Sequence, residues 1–549
     1  QMSLRLIYGK SGCGKSEYCF KEIAKNVNKE KIYMIVPNQM ALMAEKRLME
    51  KADNLALVNT EVITFSRMAF RVRNEIGGAK KTNLSKSGKA MLLYDILSKQ
   101  KDTLNFLGKN AENVDIIGNS ITEFKKHRID IENLKKEANT TTDMYLKLKL
   151  NDMITMYEEF EKSIQDKFLD ENDVLDILNT QILESNQFKD AIIYIDEFVG
   201  FTTQEYEIIA KLMQLAKEVN VTICTDNLVQ QEDADKDIFY ANKNTGIKLI
   251  NLAKEYGIEI EDDVKLTELH RFKNSELKHL EENFYAVPYK TYKEEPKNIK
   301  LFLANNQYTE IEHIASEIVK LVRNENYRYK DISVITKNLN LYSSLIKVIF
   351  ASYNIPVFID EKKELSENVL VKFLIAVLEI CNKNWSYEAV FNYLKTGFVN
   401  IDKEEIFKLE NYCIRWGIKG NKWYKEDWNY VGKDEYTEEE LARLNELRKM
   451  IVTPIRKLQE KARKDNSFTN LTKILYEFLE EMRIEEVITS KIQKLEEKGF
   501  IEIANEYESS FKVLIELFDE IVLVFGEEKT NFDKYMNILK IGLKNTGLG

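Results

Sequence analysis

Proline is nearly missing from this sequence. Five prolines in 549 residues, with only 20 glycines, exclude long disordered linkers and collagen-like repeats. Cysteine is also scarce: Cys13, Cys19, Cys224, Cys381 and Cys413 form no C-x-x-C pair and are odd in number. They read as reduced thiols of a cytoplasmic protein, without a disulfide framework or a zinc site. The four histidines, His127, His270, His279 and His313, are scattered and lack H-E-x-x-H spacing. No apolar run reaches the roughly 18 residues of a membrane span, and no signal peptide is read ahead of the first apolar run. Positive charge is not in excess either. The formal net charge is −10, which disfavours nonspecific nucleic-acid binding by the surface as a whole but leaves local basic faces open.

Apolar residues are abundant, at 44%, and charges of both signs, at 31%, are mixed along the chain. That composition fits helix-rich globular domains, roughly three or four of them at about 150 residues each. The most informative stretch is Gly9-Lys10-Ser11-Gly12-Cys13-Gly14-Lys15-Ser16, which fits G-x-x-x-x-G-K-S/T at every required position. A short β-prone run, Leu4 to Tyr8, precedes it, and helical spacing follows from Glu17 to Val27. Strand, glycine loop and helix form a phosphate cradle, because backbone N–H groups and the helix N-terminus both favour an anion. Lys15 then suits the β- and γ-phosphates of ATP, and Ser16 suits Mg²⁺. A glycine turn that binds nothing is the plainer alternative.

Lys31 to Val36 and Val62 to Ser66 are further strand candidates, each followed by a helical pattern. Between Gly77 and Phe188 good β-runs vanish and helical periodicity takes over. The α/β pattern returns with Ala191 to Ile195 and Val219 to Cys224. A second α/β unit is expected to start after Pro288 and Pro296, with strands at Ile299 to Leu303, Ile332 to Thr336 and Val357 to Ile359. From about Val369 onward the chain reads as helical. Alternating strands and helices imply a parallel sheet. The expected organisation is therefore 1–76 with 189–290 as a P-loop domain, 77–188 as a helical insertion, 291–368 as the start of a second α/β domain, and 369–549 as its helical insertion. Met2 reads as the natural start, and the helical pattern up to Lys544 reads as cut short rather than finished.

Asp196 and Glu197 end a buried strand run, where ligands of nucleotide-binding sheets gather. Asp196 suits Mg²⁺ and Glu197 suits polarising a water, although two solvated acids at a strand end would look the same. Arg271, in Leu266 to Phe272, could lean on a γ-phosphate, or be a surface ion pair. Basic clusters occur at Arg67/Arg71/Arg73, Lys80/Lys81/Lys86/Lys89, Lys125 to Arg128, and Arg448 to Lys464. Each is open to phosphate contact, and each more simply makes a solvated helix face. Trp416, Trp423 and Trp428 read as core or interface residues.

The order of these motifs resembles that of the UvrD-like superfamily 1 DNA helicases. More closely, the whole chain is similar to the N-terminal half of the B subunits of AddAB-type helicase–nucleases. The Val36-Pro37-Asn38-Gln39 and Thr64-Phe65-Ser66-Arg67 stretches carry that closer likeness. The resemblance implies two RecA-like P-loop domains, each with a helical insertion, the second incomplete here. It implies ATP and Mg²⁺ at Gly9 to Ser16, with Ser16 and Asp196 on the metal, and Glu197 and Arg271 as catalytic residues. It implies single-stranded DNA and DNA ends as substrates, with Thr64, Ser66 and Arg67 near the DNA track. Its partner is the AddA motor and nuclease subunit, in the bacterial cytoplasm, for repair of double-strand breaks by recombination. An iron–sulfur cluster is implied only for a C-terminal nuclease domain, and the five cysteines here are not spaced for one. Some family positions differ. Val199 and Val229 stand where glutamines are usual, and His270 stands where an aromatic precedes the arginine. The alternative is thus a catalytically silent, helicase-like scaffold that binds and scans DNA for a motor partner.

Overall fold

Buried apolar runs align as a parallel sheet. The computed structural model describes the chain apart from residues 1, 28, 53–56, 78–80, 108–112, 166, 171, 230–236, 362, 366–367, 433–435 and 549. Lys80 of the basic clusters lies outside the described residues. The chain splits into two compact units, 1–76 with 178–361, and 77–177 with 362–549.

In the first unit the order is β1 (Ser3–Gly9), α1 (Lys15–Asn26), β2 (Ile32–Ile35), α2 (Ala41–Lys51), β3 (Thr60–Ile63) and α3 (Phe65–Ile76). After residue 178 come β4 (Ile192–Ile195), α4 (Thr203–Leu215), β5 (Glu218–Cys224), α5 (Tyr240–Glu255), β6 (Glu259–Ile260) and β7 (Val264–Lys265). The sheet runs β3-β2-β4-β5-β1-β6, with β7 also on β1, and every pairing is parallel. Every residue of β2 and β4 is buried, which explains their unbroken apolar runs. Phe20 and Ile23 of α1 and Ala44 and Leu48 of α2 cover one set of strand side chains, among them Ile7, Met34 and Tyr194.

The registers bring the C-terminal strand ends level. Gly9 faces Cys224, Ile195 faces Val221, and Ile35 faces both Ile195 and Ile63. The segments that follow, Lys10 to Ser16, Thr64 to Arg67 and Asp196 to Glu197, therefore leave the sheet on one edge. The two-residue strands β6 and β7 were not expected, being too short to show periodicity.

The expected strands at 299–303, 332–336 and 357–359 are irregular segments that pair with no strand among the described residues. Their apolar pattern is strand-like, but a strand also needs a neighbour to take its ladder bonds. Leu301, Leu303, Ile335 and Phe358 stand exposed. Helices Gln307–Asn324 and Leu339–Ser352 nearby share a small core of Ile311, Ala315, Ile318, Ile346, Ile349 and Phe350.

The second unit is helical. Helices from 86–164 and 369–544 share one core that includes Leu93, Phe160, Phe373, Trp385, Trp423, Leu475 and Tyr535. Trp428 is buried there, and Trp416 packs at its edge, stacked on Tyr430. One small parallel pairing, Thr82–Asn83 with Phe168–Leu169, interrupts the helices and was not anticipated. Several basic-cluster residues make structural pairs. Lys89 and Lys125 both reach the buried carboxylate of Asp170, at 3.0 and 3.3 Å, and Lys125 also meets Asp173 and Glu161 at 2.7 Å. Burial alone would push Asp170 up, but Lys89 and Lys125 hold its carboxyl below the usual value. Burial alone would pull Lys125 down, but Asp173, Asp170 and Glu161 hold it above the usual range. Arg448 is buried and paired with Asp427.

Asp170→Ala leaves two ammonium groups without this partner and is expected to cost about 3–5 kcal/mol in urea unfolding. Because the folded carboxyl titrates lower than the unfolded one, its contribution is complete above about pH 4. It is lost as pH falls through the folded value, so the gap between wild type and variant should narrow in acid.

Candidate active site

The glycine loop is shaped by close approach of its neighbours. β1 ends at Gly9, and the Leu266 N–H donates to the Tyr8 carbonyl at 2.8 Å. A Cβ on Gly9 would lie 2.4 Å from the Leu266 carbonyl oxygen, so only glycine fits without a shift. Gly12 and Gly14 have φ of +86° and +82°, in the left-handed region that side chains disfavour. Gly14 precedes α1 and offers no capping side chain, so the first N–H groups of that helix are left for another acceptor.

The charged groups converge here. Lys15 Nζ donates to the Gly9 and Lys10 carbonyls at 2.9 and 3.0 Å. Arg271 Nη1 donates to Ser11 Oγ at 3.0 Å, and the His270 N–H donates to the Gly12 carbonyl at 3.0 Å. Among the described residues Arg271 makes no ion pair. Ser16 Oγ donates to Glu197 Oε1 at 3.1 Å. Asp196, only 2% exposed, accepts from Thr222 Oγ1 at 2.5 Å through Oδ1. Its Oδ2 is buried without a hydrogen-bond partner among the described residues. Glu197 has φ of +67°, unusual for a side-chain-bearing residue. Burial pushes the Cys13 thiol up, against the pull of Lys15.

Ser11, Lys15, Ser16, Asp196, Glu197 and Arg271 line one cavity of about 470 Å³. Arg47 of α2, Thr222 of β5 and Asn242 of α5 line it too, and sequence reasoning missed all three. Thr222 carried a faint signal, a hydroxyl inside an apolar strand run. Arg47 and Asn242 carried none, since an arginine or asparagine on a helix is ordinary. The donors fit a hard cation, which takes oxygen ligands: Ser16, Asp196 and Glu197 line one cavity and bring a hydroxyl and two carboxylates to it. Among the described residues no group of three or more His, Cys, Asp or Glu forms a self-sufficient metal cage. Mg²⁺ is commonly bound through one or two carboxylates together with substrate phosphates and water, and this donor set is compatible with that mode.

Other sequence candidates lie elsewhere. Lys10 pairs with Glu281 at 3.4 Å. Thr64 is buried, and its Oγ1 accepts from the Arg67 N–H at 3.2 Å at the start of α3. Ser66 and Arg67 are exposed, on the same sheet edge but outside the cavity lining. Val199, at the cavity, and Val229 are exposed. Asp226 is tied to buried Lys243 at 3.0 Å.

A parallel sheet with a glycine-loop cradle on one strand and an acid pair two strands away defines an α/β P-loop protein of the RecA-like, UvrD-like type. The family model "ADDB, N-terminal" matches residues 6–281, and the UvrD-like helicase C-terminal domain matches residues 267–541. The chain is 40% identical to the B subunit of the ATP-dependent helicase/deoxyribonuclease of Clostridium tetani (strain Massachusetts / E88), over 100% of this chain and 50% of that protein. It is 38% identical to the corresponding B subunit of Acetivibrio thermocellus, over 100% of this chain and 49% of that protein. The B subunit of Clostridium botulinum (strain Loch Maree / Type A3) matches at 37%, with the same 100% and 49% coverage. The chain belongs to the AddB family and spans about half the length of these curated relatives.

Gly9→Ala forces the Leu266 carbonyl away from β1 and is expected to lower stability by about 1–3 kcal/mol in urea unfolding. A change within a few tenths would show that β7 yields freely.

Proposed function

We propose that this chain is the ATP-binding, DNA-contacting part of an AddB-type subunit of a helicase–nuclease. The observation that carries the reading is the gathering of Lys15, Ser16, Asp196, Glu197 and Arg271 around one cavity. Lys15 and the N–H groups of Gly9 to Ser16 hold the phosphates of ATP. Ser16 and Asp196 hold Mg²⁺, which when bound neutralises charge on the β- and γ-oxygens. Glu197 orients and polarises the attacking water, and Arg271 meets charge developing on the γ-phosphate. Ser66 and Arg67 give exposed contacts to single-stranded DNA, with Thr64 setting the helix start that presents them. The intact protein works with an AddA motor subunit on DNA ends, in double-strand-break repair in the bacterial cytoplasm. Among the described residues no helix is long and apolar enough to cross a membrane.

Equilibrium ATP binding with Mg²⁺ tests the site. Lys15→Ala is expected to weaken it by on the order of a hundredfold, as loss of a charge-paired lysine does. Equal binding by wild type and variant, or none by either, would overturn the nucleotide reading.

A second reading has one observation in its favour. Asp226 is held by Lys243, while Val229 nearby stands where the resemblance leads one to expect glutamine. That arrangement suits a scaffold whose nucleotide does not drive translocation. In the intact two-subunit enzyme, Lys15→Ala is then expected to slow unwinding only modestly, about twofold on the scale of a subunit that supplies binding rather than drive. Near-complete loss of unwinding would exclude the scaffold.

A further inference from the structure

We infer that Thr222 is a positioning residue for the metal-facing acid: it clamps one oxygen of Asp196 so that the other is presented to the cation of the bound nucleotide. The inference rests on the nucleotide reading above. β4 and β5 are neighbours, and Ile195 faces Val221, so Asp196 leaves its strand beside Thr222. Both side chains are buried, Thr222 at 5% and Asp196 at 2% exposure. A hydroxyl in a buried strand is costly unless bonded, and this one spends its donor on Asp196 Oδ1 at 2.5 Å. An ionised carboxylate has about four lone-pair sites over two oxygens. Here one oxygen is engaged and the other, buried, has no partner among the described residues. A buried acceptor left in this way is unfavourable by itself and suits a site that a ligand completes. Thr222 lines the same cavity as Ser16 and Asp196, so the clamp acts where the cation would sit.

The clamp matters because the aspartate carboxylate rotates broadly about its last torsion. With Oδ1 fixed by a donor on a rigid central strand, Oδ2 keeps one direction. Valine at position 222 would keep the β-branched shape but remove the donor. Serine would keep the donor but remove the methyl group.

The test is an equilibrium titration of the full chain with a fluorescent ATP analogue, in saturating Mg²⁺ and in EDTA. The readout is the ratio of the two affinities, which does not require turnover. Wild type is expected to bind more tightly with Mg²⁺. Thr222→Val should lose roughly tenfold of that enhancement, the size expected for one hydrogen bond to a charged group, with metal-free binding unchanged. Thr222→Ser should restore it. On an Asp196→Asn background, Thr222→Val should add nothing, because the two act as one unit. Thr222→Ala serves as a second hydroxyl-free variant should valine disturb folding. Full Mg²⁺ enhancement in either hydroxyl-free variant overturns the inference, as does an equal loss with and without metal, which would mark a packing role. If wild type binds no nucleotide under either condition, the nucleotide reading falls first and takes the clamp with it. Lys15→Ala, weak under both conditions, separates that failure from a failure of Thr222 alone.

Discussion

The register of β1, β5 and β4 is the constraint on which the candidate site depends. Side chains alternate along a strand, so a one-residue slip would exchange the groups packed on the two faces of the sheet. With Gly9 opposite Cys224 and Ile195 opposite Val221, the glycine loop and the acid pair emerge on the same edge, with one strand between them. No contact between the loop and Asp196 is needed to bring them together. The burial of Leu4, Leu6, Ile193, Ile195, Val219 and Val221 fixes the register, and chemistry at the edge follows from it.

The distribution of charge follows a similar logic. The chain is acidic overall, yet its basic clusters could suggest a polyanion partner. In the helical unit three residues of those clusters are buried and paired: Lys89 and Lys125 on Asp170, and Arg448 on the exposed Asp427 and the Trp423 carbonyl. The buried Lys89, Lys125 and Asp170 group is seldom a net source of stability of itself, but breaking it strands the remaining charges. By contrast, the Arg67 guanidinium on α3 and the Arg47 guanidinium at the cavity make no ion pair or hydrogen bond among the described residues. Counting lysines and arginines in sequence could not separate these cases, because pairing depends on which acids the fold brings near.

Much of the sheet was legible. β1, β2, β4 and β5 are apolar runs bounded by glycine, proline or acids, and runs of that kind have few alternatives inside a domain. The glycine loop was legible because its spacing is set by backbone geometry, and Gly12 and Gly14 do adopt left-handed backbone. The segments at 299–303, 332–336 and 357–359 had the same apolar signature without the outcome. Their side chains prefer extended backbone, but pairing is a property of two segments and cannot be read from one. Arg47 and Asn242 were illegible, and Thr222 only faintly marked, for the related reason that their cavity is assembled from helices and strands far apart in sequence.

Glu197 shows how backbone and side chain divide the work at this edge. Continued strand geometry after Ile195 would send Asp196 and Glu197 to opposite faces of the sheet. Instead Glu197 turns into the left-handed region, at φ +67°, and both acids line the same cavity, with Glu197 accepting from Ser16. Glycine would hold that conformation at lower cost, since a side chain there is disfavoured by roughly 1–2 kcal/mol. Glu197 directly follows β4, a strand paired on both sides, which holds the start of this turn in place. The position therefore keeps a carboxylate where backbone preference alone would favour glycine. The adjacent acids thus divide into one bonded to Thr222 inside the sheet and one turned toward Ser16 of the glycine loop.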